Sequence, residues 1–540
     1  MRGSLLLVGP PGVGKSTVAP RVAQALGLPS VDLDAQIEAE AGCRVAEIFA
    51  REGEAGFRRR ERACLQRVLS EGPAVVATGG GAWLDRRARH AALREHTAVA
   101  LSAPVEVLRA RLQGGATRPL LAGAPNGGPE ASRALEGLLE ARRGVYAEVH
   151  ATVAATGAAE AVAGDVVARV AVLGQTRVVP LGARSYRVGF GPLDALPSRM
   201  AAEGLGVAGA SPLVVTDRNV WRAQRRAVEA VARGLGATVL ALPPGERTKR
   251  LATLPKVWDA LLAAGADRAS VLVAVGGGVV SDLTGLAAAL YLRGIRFVAA
   301  PTTLLAMADA AVGGKTAVDL PQGKNLVGAF HQPTLVQVDA ATLDTLGGLD
   351  YAAGLAEVVK VALAVDPELL VHLESHREAL AVQPRGRQWA SGRAAREAAI
   401  VGAVQAKIDV VARDEREEGE RAVLNFGHTL GHCVEHASGY RLRHGMAVAA
   451  GMAAALEVGV RLGVTPTELR DRALALLRGL GLPLRARVPR EAAREALGHD
   501  KKRVGRRLRF VLLRGVGDAA LVEVPEAEAL SALDGMLENG

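Results

Sequence analysis

Aromatic residues are scarce in this chain: Phe, Tyr and Trp together make up 3% of its 540 residues. That scarcity removes the stacking platforms on which single-strand nucleic-acid binders hold bases. A formal charge of +10 points the other way, but the basic residues are spread along the chain rather than gathered into one stripe, so no nucleic-acid partner is expected. Cysteine is rarer still. Cys43, Cys64 and Cys433 lie far apart and include no CxxC pair, which argues against a zinc ribbon or redox centre and fits a reducing cytoplasm. No apolar run approaches the ~18 to 20 residues needed to cross a bilayer, so no membrane partner is expected either. The opening MRGSLLLVG imitates a signal peptide until the glycines and Lys15 that follow are read; the stretch fits a buried strand better. What remains abundant is aliphatic and small, with 49% hydrophobic residues and 63 glycines. This is globular material, enough for roughly three or four domains.

Alternating short apolar runs and helical stretches predict α/β architecture over residues 1–170, with SLLLV (4–8), AVVAT (74–78) and TAVAL (97–101) as strands. LAGAPNGGPEAS (121–132) predicts a loop. A linker is expected at 171–180. A second α/β pattern occupies 181–345, with strands at 211–217, 238–242, 270–275 and 296–300, and a mainly helical region follows from 346 to 540, broken by RLRFVLL (507–513).

Gly9-Pro-Pro-Gly-Val-Gly14-Lys15-Ser16 matches the P-loop pattern between a predicted strand and a predicted helix. Backbone N–H groups of such a loop turn inward around a polyphosphate, the lysine reaches the terminal phosphates, and the serine can hold magnesium. This predicts ATP as co-substrate, held by Gly12, Gly14, Lys15, Ser16 and Thr17. It leaves the acceptor open. A gluconate or nucleoside monophosphate kinase would carry the same loop.

Further stretches narrow the choice: VDLD (31–34), GEAGFRRRE (53–61), Gly79–Gly81, TRPLL (117–121) and RRGVY (142–146). Together they make residues 1 to about 165 resemble shikimate kinase. The resemblance implies that Asp34 holds substrate hydroxyls and Asp32 helps Ser16 place Mg2+. It also implies that Arg58 and Arg142 clamp the substrate carboxylate, that Gly80 approaches the ring, and that Arg118 covers ATP. A planar guanidinium fork suits a carboxylate, which makes that arrangement chemically sensible.

In the second half, SVLVAVGGGVVSDLTG puts Gly276–Gly278 at a strand end and Asp282 in the first turn of a helix, a weak pyrophosphate signal by itself. His428 and His432, four apart, share a face if that segment is helical and form the simplest metal pair. PPGERTK (243–249), YLRG (291–294), PTTLLAMADAAVGGKT (301–316), GKNLVGAF (323–330), GLAEVVK (354–360), NFGHTLGH (425–432), RHGMAVAAGM (443–452) and HDKKRVGRRLRFVLL (499–513) make residues 178–540 resemble 3-dehydroquinate synthase. The resemblance moves the metal, Zn2+ or another divalent ion such as Co2+, to Glu357, His428 and His444, and makes His432 a proton-handling or substrate-contacting group. It assigns NAD to Asp217, Asn219, Glu246, Lys249, Gly277, Gly278, Asp282, Thr302, Thr303, Asp309 and Lys324. The heptulosonate phosphate falls to Lys315, Asn325, Lys360, Lys407, Arg421, Asn425, His432 and Lys501, with Lys502 as an alternative to the last, and Glu417 lines the same site. Arg293 matches a position that reaches a neighbouring subunit, which implies a homodimer.

The implied reaction uses NAD reversibly: a substrate hydroxyl is oxidised, phosphate leaves, the hydride returns and the ring closes again as a carbocycle. A different sugar-phosphate cyclase is the main alternative, and a metal-dependent polyol dehydrogenase a remoter one. One departure is visible. Met446 stands where the family usually carries an acid two residues after the ligand His444, which predicts a loosened metal ligand.

Overall fold

The computed structural model describes residues 3–112, 129–206, 211–384, 386–498, 503–504 and 507–538. The chain divides into two compact units, Met1–Phe190 and Gly191–Gly540.

The first unit is built on parallel strands β1 (Leu5–Val8), β2 (Ser30–Asp32), β3 (Val75–Ala77), β4 (Thr97–Ser102) and β5 (Ala151–Ala154), in the order β2-β3-β1-β4-β5. Alternate residues of β1 feed opposite cores. Leu5 and Leu7 pack with Val22, Val99 and Val166, while Leu6 and Val8 pack with Phe57, Trp83 and Val149. Burial on both faces is why this strand reads as an unbroken apolar run. The stretch 121–132, expected as a loop, ends inside a helix, Pro129–Ala147, whose first residue is a proline with its φ preset for that position. Residues 121–128 lie outside the described set.

The expected linker at 171–180 is instead structured. A helix, Ala159–Leu173, runs directly into β6 (Gln175–Val179), which pairs antiparallel with β7 (Tyr186–Phe190). Glu148 accepts from Gly182 N at 2.9 Å and Arg187 donates to Val149 O at 3.0 Å.

The second unit contains parallel strands β8 (Leu213–Asp217), β9 (Thr238–Leu242), β10 (Val271–Gly276), β11 (Arg296–Pro301) and, after the antiparallel pair β12 (Lys315–Leu320) and β13 (Gly323–Phe330), β14 (Leu335–Val338). The parallel strands run β14-β11-β10-β8-β9. From Gly348 onward helices dominate. Helix Gly348–Ala364 is buried on every side from Ala353 to Ala364, which explains its nearly continuous apolar sequence. It packs against helix His444–Arg461, which in turn packs against helix His428–Ala437. Strands β15 (Arg503–Val504), β16 (Arg507–Gly515) and β17 (Asp518–Pro525) form an antiparallel sheet among these helices. Among the described residues no helix is long and apolar enough to cross a membrane.

Candidate active sites in the two units

In the first unit the chain turns from β1 into helix Lys15–Leu26 through glycines in left-handed conformations, Gly12 at φ 80° and Gly14 at φ 100°. A side chain at either position would be strained, so the loop's path requires glycine. The Lys15 ammonium folds onto the loop, donating to Gly9 O at 2.8 Å and Pro10 O at 3.1 Å. Ser16 and Thr17 are exposed on the first turn. Asp32 caps the next helix through the N–H groups of Asp34 and Ala35.

Beside the loop, Arg58 pairs with Glu61 at 2.6 Å and Glu54 at 3.2 Å, and Arg142 donates to Gly80 O at 2.8 Å. A methyl group on Gly79 would strike the carboxylates of Glu61 and Asp34, and one on Gly81 would strike the Arg58 guanidinium. Asp34, Arg58 and Arg142 therefore gather around the glycine triplet. Sequence reasoning missed Glu61, a buried carboxylate that holds Arg58 in place. Burial raises its carboxyl above the ordinary range, against the pull of Arg58. Arg118 lies outside the described residues.

In the second unit a cavity of about 1080 Å3 opens beyond the carboxyl ends of β8, β10 and β11. Its wall includes Asp217, Asn219, Glu246, Lys249, Gly277, Gly278, Asp282, Thr302, Thr303, Asp309, Lys315, Lys324, Asn325, Lys407, Glu417 and His444. Gly277 approaches Thr303 so closely that a Cβ would sit 3.0 Å from its Cγ2. Asp282 lies in the second turn of helix Gly278–Leu290, not the first, because the helix begins as soon as the strand ends. There it pairs with Lys249 at 2.5 Å. Asp217 caps a short helix through Asn219 N at 2.7 Å. Lys407 pairs with Asp309 at 2.5 Å, Asn425 donates to Glu417 at 2.8 Å, and Lys315 also meets Glu417. Arg421 is buried and donates to the carbonyls of Gly313 and Glu415. Arg293 is exposed, outside the cavity wall, and with Leu292 holds a left-handed backbone at φ 67° and 49°. Lys501 and Lys502 lie outside the described residues.

Next to the cavity, helix His428–Ala437 places His428 and His432 one turn apart, and ligating atoms of both lie within 4.8 Å of one on His444. His428 and His432 thus share a face, and His444 joins them from a second helix. Glu357 Oε1 stands 3.4 Å from His444 Nε2 and 3.8 Å from His428 Nε2. Each of these two imidazoles is held from its other side: His428 Nδ1 lies 3.2 Å from Phe426 O, and His444 Nδ1 lies 3.1 Å from Glu435 Oε2. Both Nε2 atoms thus face the Glu357 carboxylate. Glu357 is 1% exposed and neither of its oxygens makes a well-directed hydrogen bond, although the Lys360 ammonium lies 2.6 Å away. A buried carboxylate so placed calls for a cation, and one carboxylate with two imidazoles suits catalytic zinc or cobalt. Burial would lower His444, but its hydrogen bonds to Glu357 and Glu435 raise it to about 10. Burial drives His428 well below the ordinary imidazole range, keeping it neutral, while Glu357 is held anionic by Lys360 against the effect of burial.

Met446 brings no carboxylate to His444, but another residue does. Glu435, which sequence reasoning passed over, brings a carboxylate to His444 from the neighbouring helix. Burial would raise its pKa, but His444 and Lys324 hold it down to about 2. Its spacing of seven from His428 puts it on the same helix face, a signal that could have found it.

Residues 239–352 match the family model described as 3-dehydroquinate synthase N-terminal and residues 354–503 the one described as 3-dehydroquinate synthase C-terminal. A 3-dehydroquinate synthase from Ruegeria sp. (strain TM1040) is 42% identical over 383 residues, covering 68% of this chain and 98% of that protein. The chain belongs to the 3-dehydroquinate synthase family. Its first unit carries a second identity, since residues 11–171 match the shikimate kinase family model. Among solved structures, 2-epi-5-epi-valiolone synthase from Streptomyces hygroscopicus subsp. jinggangensis 5008, with NAD+ and Zn2+ bound, is 31% identical with a TM-score of 0.57 over 65% of this chain and 96% of its own. A 2-deoxy-scyllo-inosose synthase complexed with carbaglucose-6-phosphate, NAD+ and Co2+ is 27% identical with a TM-score of 0.61, covering 67% of this chain and all of its own. The synthase unit therefore shares its fold with synthases that have NAD+ and a divalent ion bound.

Proposed function

We infer that this is a bifunctional enzyme of aromatic (chorismate) biosynthesis. The first unit transfers phosphate from ATP to shikimate, giving shikimate 3-phosphate. The synthase unit converts 3-deoxy-arabino-heptulosonate 7-phosphate to 3-dehydroquinate with loss of phosphate, using NAD that is regenerated in each turnover. The observation that carries the reading is the convergence of Glu357, His428 and His444 beside a dinucleotide-sized cavity walled by lysines.

In the kinase, Lys15 exchanges the Gly9 and Pro10 carbonyls for the phosphates of ATP, and Ser16 with Asp32 places Mg2+. Asp34 accepts the substrate hydroxyl while Arg58 and Arg142 receive its carboxylate. In the synthase, Asp217, Glu246, Thr302, Thr303 and Lys324 orient NAD, and Gly277 and Gly278 admit its pyrophosphate. Lys315, Lys360, Lys407, Arg421 and Asn425 neutralise the two anionic ends of the substrate, and His432 moves a proton. Glu357, His428 and His444 would hold Zn2+ or Co2+, which would supply Lewis-acid polarisation of a substrate hydroxyl, and bound NAD would supply a hydride acceptor for the carbon that bears it. The strained, exposed Arg293 turn supports a homodimer in which this residue serves the partner's phosphate site. Three cysteines in no disulfide and soluble cofactors support a cytoplasmic location.

Product analysis tests both halves. Shikimate with ATP yields shikimate 3-phosphate, and the heptulosonate phosphate with NAD and Zn2+ yields dehydroquinate and inorganic phosphate. A different carbocycle from the second incubation overturns the synthase assignment.

A further inference from the structure

Glu435 occupies a position with two faces. One carboxylate oxygen lies 3.1 Å from Nδ1 of the metal-facing imidazole of His444, and the other lies 2.9 Å from the Lys324 ammonium. Lys324 stands on β13, lines the dinucleotide cavity and reaches Glu246 at 3.4 Å and the face of Tyr440 at 4.9 Å. Charges thus alternate without a break from Glu246 through Lys324, Glu435 and His444 to Glu357. Glu435 is 3% exposed, so little water competes for it.

We propose that Glu435 is the positioning carboxylate for the metal ligand His444 and that Lys324 couples it to the dinucleotide, so that NAD and the divalent ion tighten each other's binding. The inference rests on the metal and NAD sites assigned above. In the empty cavity Lys324 shares the charge of Glu435. A dinucleotide offers Lys324 negative groups of its own, which leaves Glu435 to His444 alone. A carboxylate fully committed to Nδ1–H fixes the ring and makes Nε2 a stronger donor to the ion. Reciprocity then requires that the ion strengthen NAD binding by the same factor.

The test measures Co2+ and Zn2+ affinity by chelator competition in the full chain, with and without NAD, following the visible spectrum of Co2+ as well. In the unsubstituted protein NAD should tighten the metal by about 10-fold, within the usual range of coupling between sites. Glu435→Gln should weaken the metal by about 10- to 100-fold and abolish the effect of NAD. Lys324→Met should by itself tighten the metal without NAD by about the same 10-fold and lose the further effect of NAD, and Lys324→Arg should restore the coupling in part. An unchanged far-UV circular dichroism spectrum and thermal unfolding transition in the same preparations report that the second unit has folded. An unchanged metal affinity in Glu435→Gln, or NAD coupling that survives in Lys324→Met, overturns the proposal. Glu357→Ala separates this from failure of the underlying site: if that variant binds the ion as tightly as the unsubstituted protein, the ligand assignment itself is wrong.

Discussion

At the scale of single residues, Lys407 shows how burial sets chemistry. Its ammonium is buried beside Arg421 and Lys360, and burial pushes it down to about 8 although Asp309 pulls the other way. Below that pH the side chain is cationic and suits an anionic substrate; above it the charge is lost. The expected consequence is that kcat/KM for the heptulosonate phosphate falls as pH rises through about 8. Lys407→Met should lack that limb and run about 10- to 100-fold low at neutral pH, the loss expected for one hydrogen bond to a charged group. A pH–rate series on both proteins checks this. The residues legible in the sequence were those whose partners are close along the chain, as in the P-loop, or which a long motif carries with it. Glu435 was not, because one of its partners is 111 residues away and the other lies on the next helix. Met446 looked like a lost carboxylate for the same reason: sequence places residues in order, and the compensating acid comes from a different helix.

At the scale of elements, the buried parallel strands were legible because burial on both faces leaves an apolar run, and SVLVAV and RFVAA fall on β10 and β11. The pair β12 and β13 was not. Much of β13 is exposed and rich in glycine and polar residues, so no alternation marks it. The Gln175–Phe190 hairpin was mistaken in part for a linker because five-residue strands flanked by glycine carry little signal. Helix packing around the metal residues depends on small residues. A Cβ on Gly445 would lie 1.8 Å from the carbonyl oxygen of Ala353, on the helix that carries Glu357. Gly445→Ala must drive that helix away from His444, and overpacking of this kind destabilises by about 1 to 3 kcal/mol. Synthase activity should fall at least about 10-fold, with metal affinity falling alongside it. Gly164 offers the contrast: it is exposed in helix Ala159–Leu173 and a Cβ there meets nothing within 4 Å. Gly164→Ala should stabilise the kinase unit by about 0.5 to 1 kcal/mol, read from chemical denaturation.

At the scale of the whole molecule, the described residues of the phosphate-binding cluster all precede residue 191, and the walls of the cyclase cavity are drawn from Asp217 to His444. The two reactions are not consecutive, so nothing in the chemistry calls for direct handover of an intermediate. Lys15→Met should abolish phosphorylation of shikimate, by at least about 100-fold given the weight of a single charged contact to a transferring phosphate, and leave cyclisation unchanged. Glu357→Ala should do the reverse, since removing a metal ligand acts on the second unit alone. Parallel assays of both activities on each variant check the independence. The partition of these side chains between two stretches of sequence also has a genetic meaning. Two damaged alleles, one broken in the loop around Lys15 and the other at Glu357, should together restore growth to a host that lacks both steps.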